Sequence, residues 1–266
     1  MRILVTGSAG SIGSELVKQL ATRNKVYCLD INETGINDLT IDYNVWGRVG
    51  DIRNYDTVND VFSDFKPQVV YHSAAYKHVT PMELTPREAI DTNIIGTYNM
   101  VHCAQRYLTK KFVFISTDKA IQSASVMGAT KRVGEIIVKN QGKGFVVVRF
   151  GNVLGSRGSV IPIWERQINE GKDVTVTDPE MKRYFMTIEE ACELVIEAGR
   201  QGKGGEIFIM KMGKPVKILD LAKEIIKDTR SGIKITGKRP GEMLQEKLML
   251  DEEKAVAKET DKFYII

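Results

Sequence analysis

The stretch Ile3-Leu4-Val5-Thr6-Gly7-Ser8-Ala9-Gly10-Ser11-Ile12-Gly13 decides how this chain is read. Its apolar opening reads as a short buried strand, and Leu16, Val17 and Leu20 then fall on one face of a helix over residues 14–23. A glycine triplet alone is common. Between a strand and a helix it is the setting in which a dinucleotide pyrophosphate is held. Gly7 permits the tight turn, Gly10 lets phosphate approach the backbone, and Gly13 lets helix and strand pack closely. Ser8, Ser11 and Ile12 complete the loop, and the first helical turn offers free N–H groups and the positive end of its dipole. Asp30 closes the next apolar run, Val26-Tyr27-Cys28-Leu29. A carboxylate there accepts hydrogen bonds from ribose hydroxyls and repels a 2′-phosphate, and Ile31-Asn32 supplies no compensating cation. NAD is therefore expected over NADP. Asp51 and Ile52 follow a third extended run, residues 45–50, and are placed at the adenine end.

Outward from the loop, strands and helices alternate. Residues 54–65 have helical spacing, Val69-Val70-Tyr71 reads as a strand, and residues 86–107 read as one long helix opened by Pro86. Strands over 112–115 and 145–148 flank a helix over 127–140. This alternation predicts an α/β fold, a Rossmann-like doubly wound parallel sheet with ligands at the carboxyl ends of its strands. After Gly151 the pieces shorten: helices over 160–171, 188–200 and 218–227, extended runs at 174–176 and 207–209, and a last strand expected over 244–250. Residues 1–151 are thus read as the NAD-binding domain and 152–266 as a smaller, mainly substrate-binding region.

The 266 residues contain 42% hydrophobic and 27% charged positions, ordinary values for a globular protein. A net charge of +4 is too small to argue for nucleic acid and is compatible with an anionic small-molecule substrate. Cys28, Cys103 and Cys192 are widely separated, so neither a metal site nor a disulfide framework is expected, and a reducing cytoplasm is the simplest setting. No apolar run reaches the roughly 18–20 residues of a membrane span.

The fifth strand ends in Ser116-Thr117-Asp118-Lys119-Ala120, followed by Met127-Gly128-Ala129-Thr130-Lys131-Arg132. This arrangement resembles the extended short-chain dehydrogenase/reductases, whose YxxxK motif sets tyrosine and lysine one turn apart on a helix. Here Lys131 remains, but Met127 stands at the tyrosine position and has no ionisable proton. Further stretches narrow the resemblance: Ser73-Ala74-Ala75-Tyr76-Lys77-His78-Val79, Arg149-Phe150-Gly151-Asn152-Val153-Leu154-Gly155-Ser156 through Ile161-Pro162, Arg183-Tyr184-Phe185-Met186-Thr187, and Lys238-Arg239-Pro240-Gly241-Glu242. Together they resemble the bacterial UDP-N-acetylglucosamine 4,6-dehydratase group of capsule biosynthesis, in the branch with Met for Tyr. Members of that branch are often large and membrane-anchored, and this sequence resembles their catalytic unit without the anchor. Gln122-Ser123 departs from the Asn-Pro frequent in the group, and the chain ends soon after Glu242.

The resemblance implies C4 oxidation of a UDP-sugar, loss of water across C5–C6 and hydride return to C6. Asp118 is then the acid, Lys119 the base, Thr117 the partner of the C4 hydroxyl, and Lys131 the contact to the nicotinamide ribose. A base role requires Lys119 as the neutral amine. Ala74, Ala75, Lys77 and Asn93 are expected around the cofactor. Lys77, Asn152, Ser159, Val160, Arg183, Arg239 and Glu242 are expected around the sugar nucleotide, with both arginines on the diphosphate. A homo-oligomer is expected, because the helices from Pro86 and Met127 pair subunits in many relatives. Two alternatives stay open: another nucleotide-sugar enzyme such as a 4-epimerase, and an NAD-binding protein without catalysis.

Overall fold

In the computed structural model, which describes residues 1–266, a nine-stranded sheet forms the centre. Strands β1 (Arg2–Thr6), β2 (Lys25–Asp30), β3 (Trp46–Val49), β4 (Val69–His72), β5 (Lys111–Thr117) and β6 (Phe145–Phe150) are all parallel. β1 lies between β2 and β4, so successive crossovers run one way to β3 and the other way to β6. The crevice where the direction reverses opens at the carboxyl ends of β1 and β4, the position at which such sheets bind ligands.

Side chains alternate between two covered faces, so the centres of β1, β2, β4, β5 and β6 are mainly apolar, with polar residues gathered toward the strand ends. Ile3 and Val5 pack on one face with Leu16, Val17 and Leu20 of helix α1 (Ser11–Ala21) and with Val195 and Cys192 of the helix Ile188–Gln201. Leu4 points the other way, into a core with Val58, Val61 and Phe62 of the helix Tyr55–Phe65 and with Met100 and Val101. A sheet covered on both faces favours apolar residues on both sides of each strand. Each large aliphatic side chain so enclosed contributes about 1.5–3 kcal/mol.

Three elements differ from the sequence reading. The long helix from Pro86 is interrupted: Pro86–Ile90 and Thr97–Arg106 are α-helical, but Asp91–Gly96 widens into a π turn. A helix at Glu33–Tyr43 was not foreseen, because its apolar residues Ile36 and Leu39 are too few to mark a stripe. Residues 244–250 form no strand; only Gln245 bridges to Lys182, and the last strands are Lys258–Glu259 and Phe263–Ile265. The chain beyond Gly151 also contributes strands to the central sheet. Ile207–Met210 returns to pair in parallel with β6, and Phe263–Ile265 adds antiparallel to it. What does stand apart is a small core of Trp164, Val174, Val176, Met181, Ile218 and Ala222. All three cysteines are buried and unpaired.

Candidate active site

The glycine loop behaves as its spacing predicts. Gly7 has φ +64°, and a Cβ there would come within 2.6 Å of the Ala74 nitrogen. A Cβ on Gly13 would stand 2.0 Å from the Gly7 carbonyl oxygen, so only glycine lets α1 start this close to β1. At Gly10 a Cβ would meet only that same oxygen, at 3.2 Å, which leaves the outer side of the loop bare. This uncovered backbone, above the unpaired N–H groups of the first turn, fits a dinucleotide pyrophosphate. Asp30 does more than wait for a ribose: its carboxylate accepts from Ala9 N and Asn32 N, both at 2.9 Å, and so holds the loop in shape.

Three residues expected around the cofactor also have partners within the protein. Asp51 pairs with Arg53 at 2.6 Å, and its carboxyl lies below the usual range because the Arg53 hydrogen bonds and charge outweigh the opposing effect of burial. Ile52 is buried against Gly96. Asn93, inside the π turn, accepts from Tyr76 N at 2.8 Å and donates to Tyr76 O and Thr130 Oγ1, both at 3.0 Å. It therefore pins the loop that carries Ala74, Ala75 and Lys77 to the helix Val126–Lys139.

β5 delivers Thr117, Asp118 and Lys119 to the crevice. Asp118 is fully buried. Its Oδ1 accepts from Thr117 Oγ1 at 2.9 Å and from Lys119 Nζ at 2.9 Å, while its Oδ2 has no partner. Lys119 Nζ also donates to Asn152 Oδ1 at 3.1 Å, which ties the pair to the segment after β6. Lys131 is buried one turn into its helix, with Nζ 4.0 Å from the centre of the Phe114 ring. Burial pulls its ammonium down to about 7, despite the opposing charge of Glu135. Met127 is buried with Met82 and Ala89 and presents no polar atom. Lys77 approaches Ser156 Oγ at 3.4 Å, and burial, then the charge of Lys119, holds it below the usual lysine range.

The substrate side divides. Ser159 Oγ is buried and unpartnered at the start of the helix Val160–Asn169, where the partly buried Val160 follows it. Arg183 does not reach outward in this structure. Its guanidinium donates to the carbonyls of Lys182, Met243 and Leu244 at 2.8–3.1 Å and so clamps the C-terminal segment. These bonds make it a tie between its strand and the C-terminal segment. Arg239 is exposed, in a turn closed by Glu242, whose Oε2 accepts from Arg239 N at 3.0 Å. Two residues went unread in the sequence. Arg157 donates from Nη1 to Ala9 O at 2.9 Å and from its backbone N to Ser11 Oγ at 3.0 Å, across the glycine loop. A cation between Gly155 and Gly158 was the available signal. Glu246, buried beside Arg183, had none, because its segment is irregular.

A family model described as polysaccharide biosynthesis protein matches residues 3–266. The capsular polysaccharide biosynthesis protein CapD of Staphylococcus aureus is 48% identical over 93% of this chain, and the chain spans only 45% of that protein's length. Among solved structures, Pen from Bacillus thuringiensis superposes with a TM-score of 0.94 at 36% identity, covering all of this chain and 87% of that one. A Thermus thermophilus UDP-glucose 4-epimerase, solved as a complex with NAD, gives 0.83 at 25% identity, over 92% of this chain and 89% of that one. No helix is long and apolar enough to cross a membrane.

Proposed function

The chain belongs to the polysaccharide biosynthesis protein family, and on that premise we propose that it is an NAD-dependent nucleotide-sugar 4,6-dehydratase, with a UDP-N-acetylhexosamine such as UDP-N-acetylglucosamine as substrate. One observation carries this reading: a buried Asp–Lys pair at the end of β5, where a tyrosine-dependent enzyme would need the phenol that Met127 lacks. An enzyme that only moves hydride at C4 has no use for a second acid–base pair.

The dinucleotide belongs to the half up to Gly151, on the loop Gly7–Gly13 with Asp30 at its ribose and Lys131 beside the nicotinamide end; the sugar nucleotide lies mainly against residues 152–266. NAD supplies the hydride acceptor for C4 and the hydride returned to C6. The remaining steps fall to side chains. Thr117 binds the C4 hydroxyl and relays its proton to Asp118 through their 2.9 Å hydrogen bond. Asp118 then protonates the departing C6 hydroxyl. Lys119, as the amine, takes the C5 proton and later returns it. The C4 hydroxyl proton leaves with the departing water, and the proton given to C5 comes from the Lys119 N–H groups, which exchange with solvent, so the proton count closes. Asn152 orients Lys119. Ser159 and Arg239 are assigned to the sugar nucleotide.

The test is mass spectrometry of products from UDP-, dTDP- and GDP-sugars in deuterated water. A product lighter by one water and labelled at C5 is expected from a UDP-sugar. A C4 epimer of unchanged mass would instead favour the epimerase reading, which the likeness to the T. thermophilus enzyme keeps in view.

The cofactor preference is testable by itself. A 2′-phosphate beside Asp30 would set like charges together, and Ile31 and Asn32 offer no cation. Calorimetric titration should show NAD bound more tightly than NADP by about tenfold or more. Equal affinities would remove Asp30 from the ribose.

A further inference from the structure

The amino ends of a parallel sheet face away from its ligand crevice, and here they carry a row of cations. β2, β1, β4, β5, β6 and the strand Ile207–Met210 are successive neighbours in the sheet. Lys25 and Arg2 open β2 and β1, and Lys66 leads into β4. Lys110 and Lys111 lead into β5, Lys143 into β6 and Lys203 into Ile207–Met210. At about 4.8 Å per strand the row spans roughly 24 Å. One end of it is an open cleft whose wall includes Lys110, Lys111, Lys143, Arg200 and Lys203 and no carboxylate. Arg2 and Lys111 serve the fold: Arg2 Nε donates to Lys66 O at 2.9 Å and Lys111 Nζ to Gly202 O, each at the end of a helix. The side chains of Lys25, Lys66, Lys110, Lys143, Arg200 and Lys203 are exposed and make neither an ion pair nor a hydrogen bond. Of the acids alongside, Asp64 is exposed and Glu206 accepts from the backbone N–H groups of Lys203 and Gly204. The formal charge of the whole chain is only +4, so this edge concentrates more positive charge than the molecule has in excess, and the rest of the surface is net negative.

Two apolar side chains stand out of the same edge. Leu108, in the turn before Lys110, is 85% exposed and has φ +54°. That left-handed conformation costs a leucine energy, and glycine or asparagine is the usual residue at such a helix end. Its neighbour Thr109 fixes the turn by donating to Pro67 O at 3.0 Å. Nothing in the fold therefore calls for a large apolar group at position 108. Trp46, the first residue of β3, is half exposed, with its ring 6.2 Å from that of Phe65, next to Lys66. We propose that the amino edge of the sheet is a docking surface for an anionic lipid membrane, with the six free cations over the headgroups and Leu108 and Trp46 entering the headgroup layer. Lysines act as hydrated point charges and suit a diffuse layer of lipid phosphates, whereas a single bound phosphate favours guanidinium forks and an enclosed cradle. Exposed tryptophan and leucine beside basic residues are the side chains that an interface with lipid rewards. Docking by this edge leaves the crevice, at the opposite ends of the same strands, open to solution. The inference is independent of which reaction that crevice performs.

The test is flotation of the full chain with vesicles of phosphatidylcholine and phosphatidylglycerol, mixed about two to one, against vesicles of phosphatidylcholine alone. Binding is expected to the first only, and to weaken as salt is raised. Replacing Lys66, Lys110, Lys143 and Lys203 together by Gln should lower the partition by about a hundredfold or more, roughly fivefold for each charge. A control removes the same charge elsewhere, by Gln at Lys223, Lys234, Lys254 and Lys258, and should keep most of the binding. Leu108→Gln leaves the charge unchanged and should cost several-fold. The chain has two tryptophans, and Trp164 is fully buried, so a blue shift of emission on adding anionic vesicles reports Trp46. An unchanged thermal midpoint in each variant guards against misfolding as the cause. Absence of binding to the anionic vesicles overturns the inference, as does an equal loss in the two fourfold variants, which would make net charge rather than this edge responsible. Binding without a Trp46 shift and fully released by inorganic pyrophosphate would mark a site for free phosphates and overturn the membrane assignment. Tighter retention on duplex DNA than on the anionic vesicles at the same salt would overturn it in favour of nucleic acid.

Discussion

Lys119→Met lowers formation of the 4-keto-6-deoxy sugar by about 10²–10⁴-fold, the usual contribution of a positioned acid or base. Methionine keeps much of the aliphatic stem but accepts no proton, so C5 exchange with deuterated solvent is lost together with product. Asp118→Asn has a different signature. The amide preserves shape at a fully buried position but neither receives the C4 hydroxyl proton nor delivers one to the leaving C6 oxygen. Product should fall by a similar factor, whereas some C5 exchange persists wherever a small amount of C4 ketone forms and Lys119 remains able to act. Both variants should bind NAD as before, since neither residue touches the glycine loop. Near-normal turnover in both would move the chemistry away from the end of β5.

The second large effect is on stability. Arg149 is fully buried, and its guanidinium grips Glu135 at 2.7 and 3.0 Å and Glu253 at 2.9 and 3.2 Å. Ser116 Oγ donates to Glu135 at 2.6 Å, and Arg132 reaches both glutamates from the rim at 2.8 and 3.3 Å. Removing one member of a buried ionic cluster strands the others, at a cost of about 3–5 kcal/mol. For Arg149→Met, the thermal midpoint should drop by roughly 6–20 °C for a chain of this size. The stranded charge, rather than the lost side chain, is the cause. Adding Glu135→Gln to Arg149→Met should therefore recover part of the loss, because the amide still accepts the Ser116 bond without an unpaired charge. A single variant within about 1 kcal/mol of the parent would show that water or Arg132 compensates fully.

The fold was legible where physics acts locally. β1, β2, β4, β5 and β6 sit within one or two residues of their apolar runs, because strands covered on both faces are apolar through their centres and carry their polar residues near the ends. The second half was harder for the same reason in reverse. Ile207–Met210 reads as any short apolar run, and its pairing with β6 depends on contacts from far along the chain. At the site, residues tied to a strand end or a tight turn were readable: Gly7, Gly13, Asp30, Thr117, Asp118 and Lys119 all lie around the crevice. Asn93, Asp51 and Arg183 were placed on the right elements, but their polar atoms are taken up by neighbours that no spacing announces. Glu246 depends on an irregular segment held by Arg183, so nothing in its local sequence marks it.

Arg157 joins the segment between the two halves to the floor of the dinucleotide loop, through Ala9 and Ser11, and Lys77 meets the same segment at Ser156. Gly158 lies directly against the His78 ring, with no room for a Cβ at 2.6 Å. On the proposed reading, the dinucleotide would lie beside this strap. For most dehydrogenases slow departure would throttle turnover, since the spent cofactor must be replaced each time. A reaction that hands its hydride back to the same sugar has no such need. On the dehydratase reading proposed above, the strap suits a cofactor that is regenerated in place.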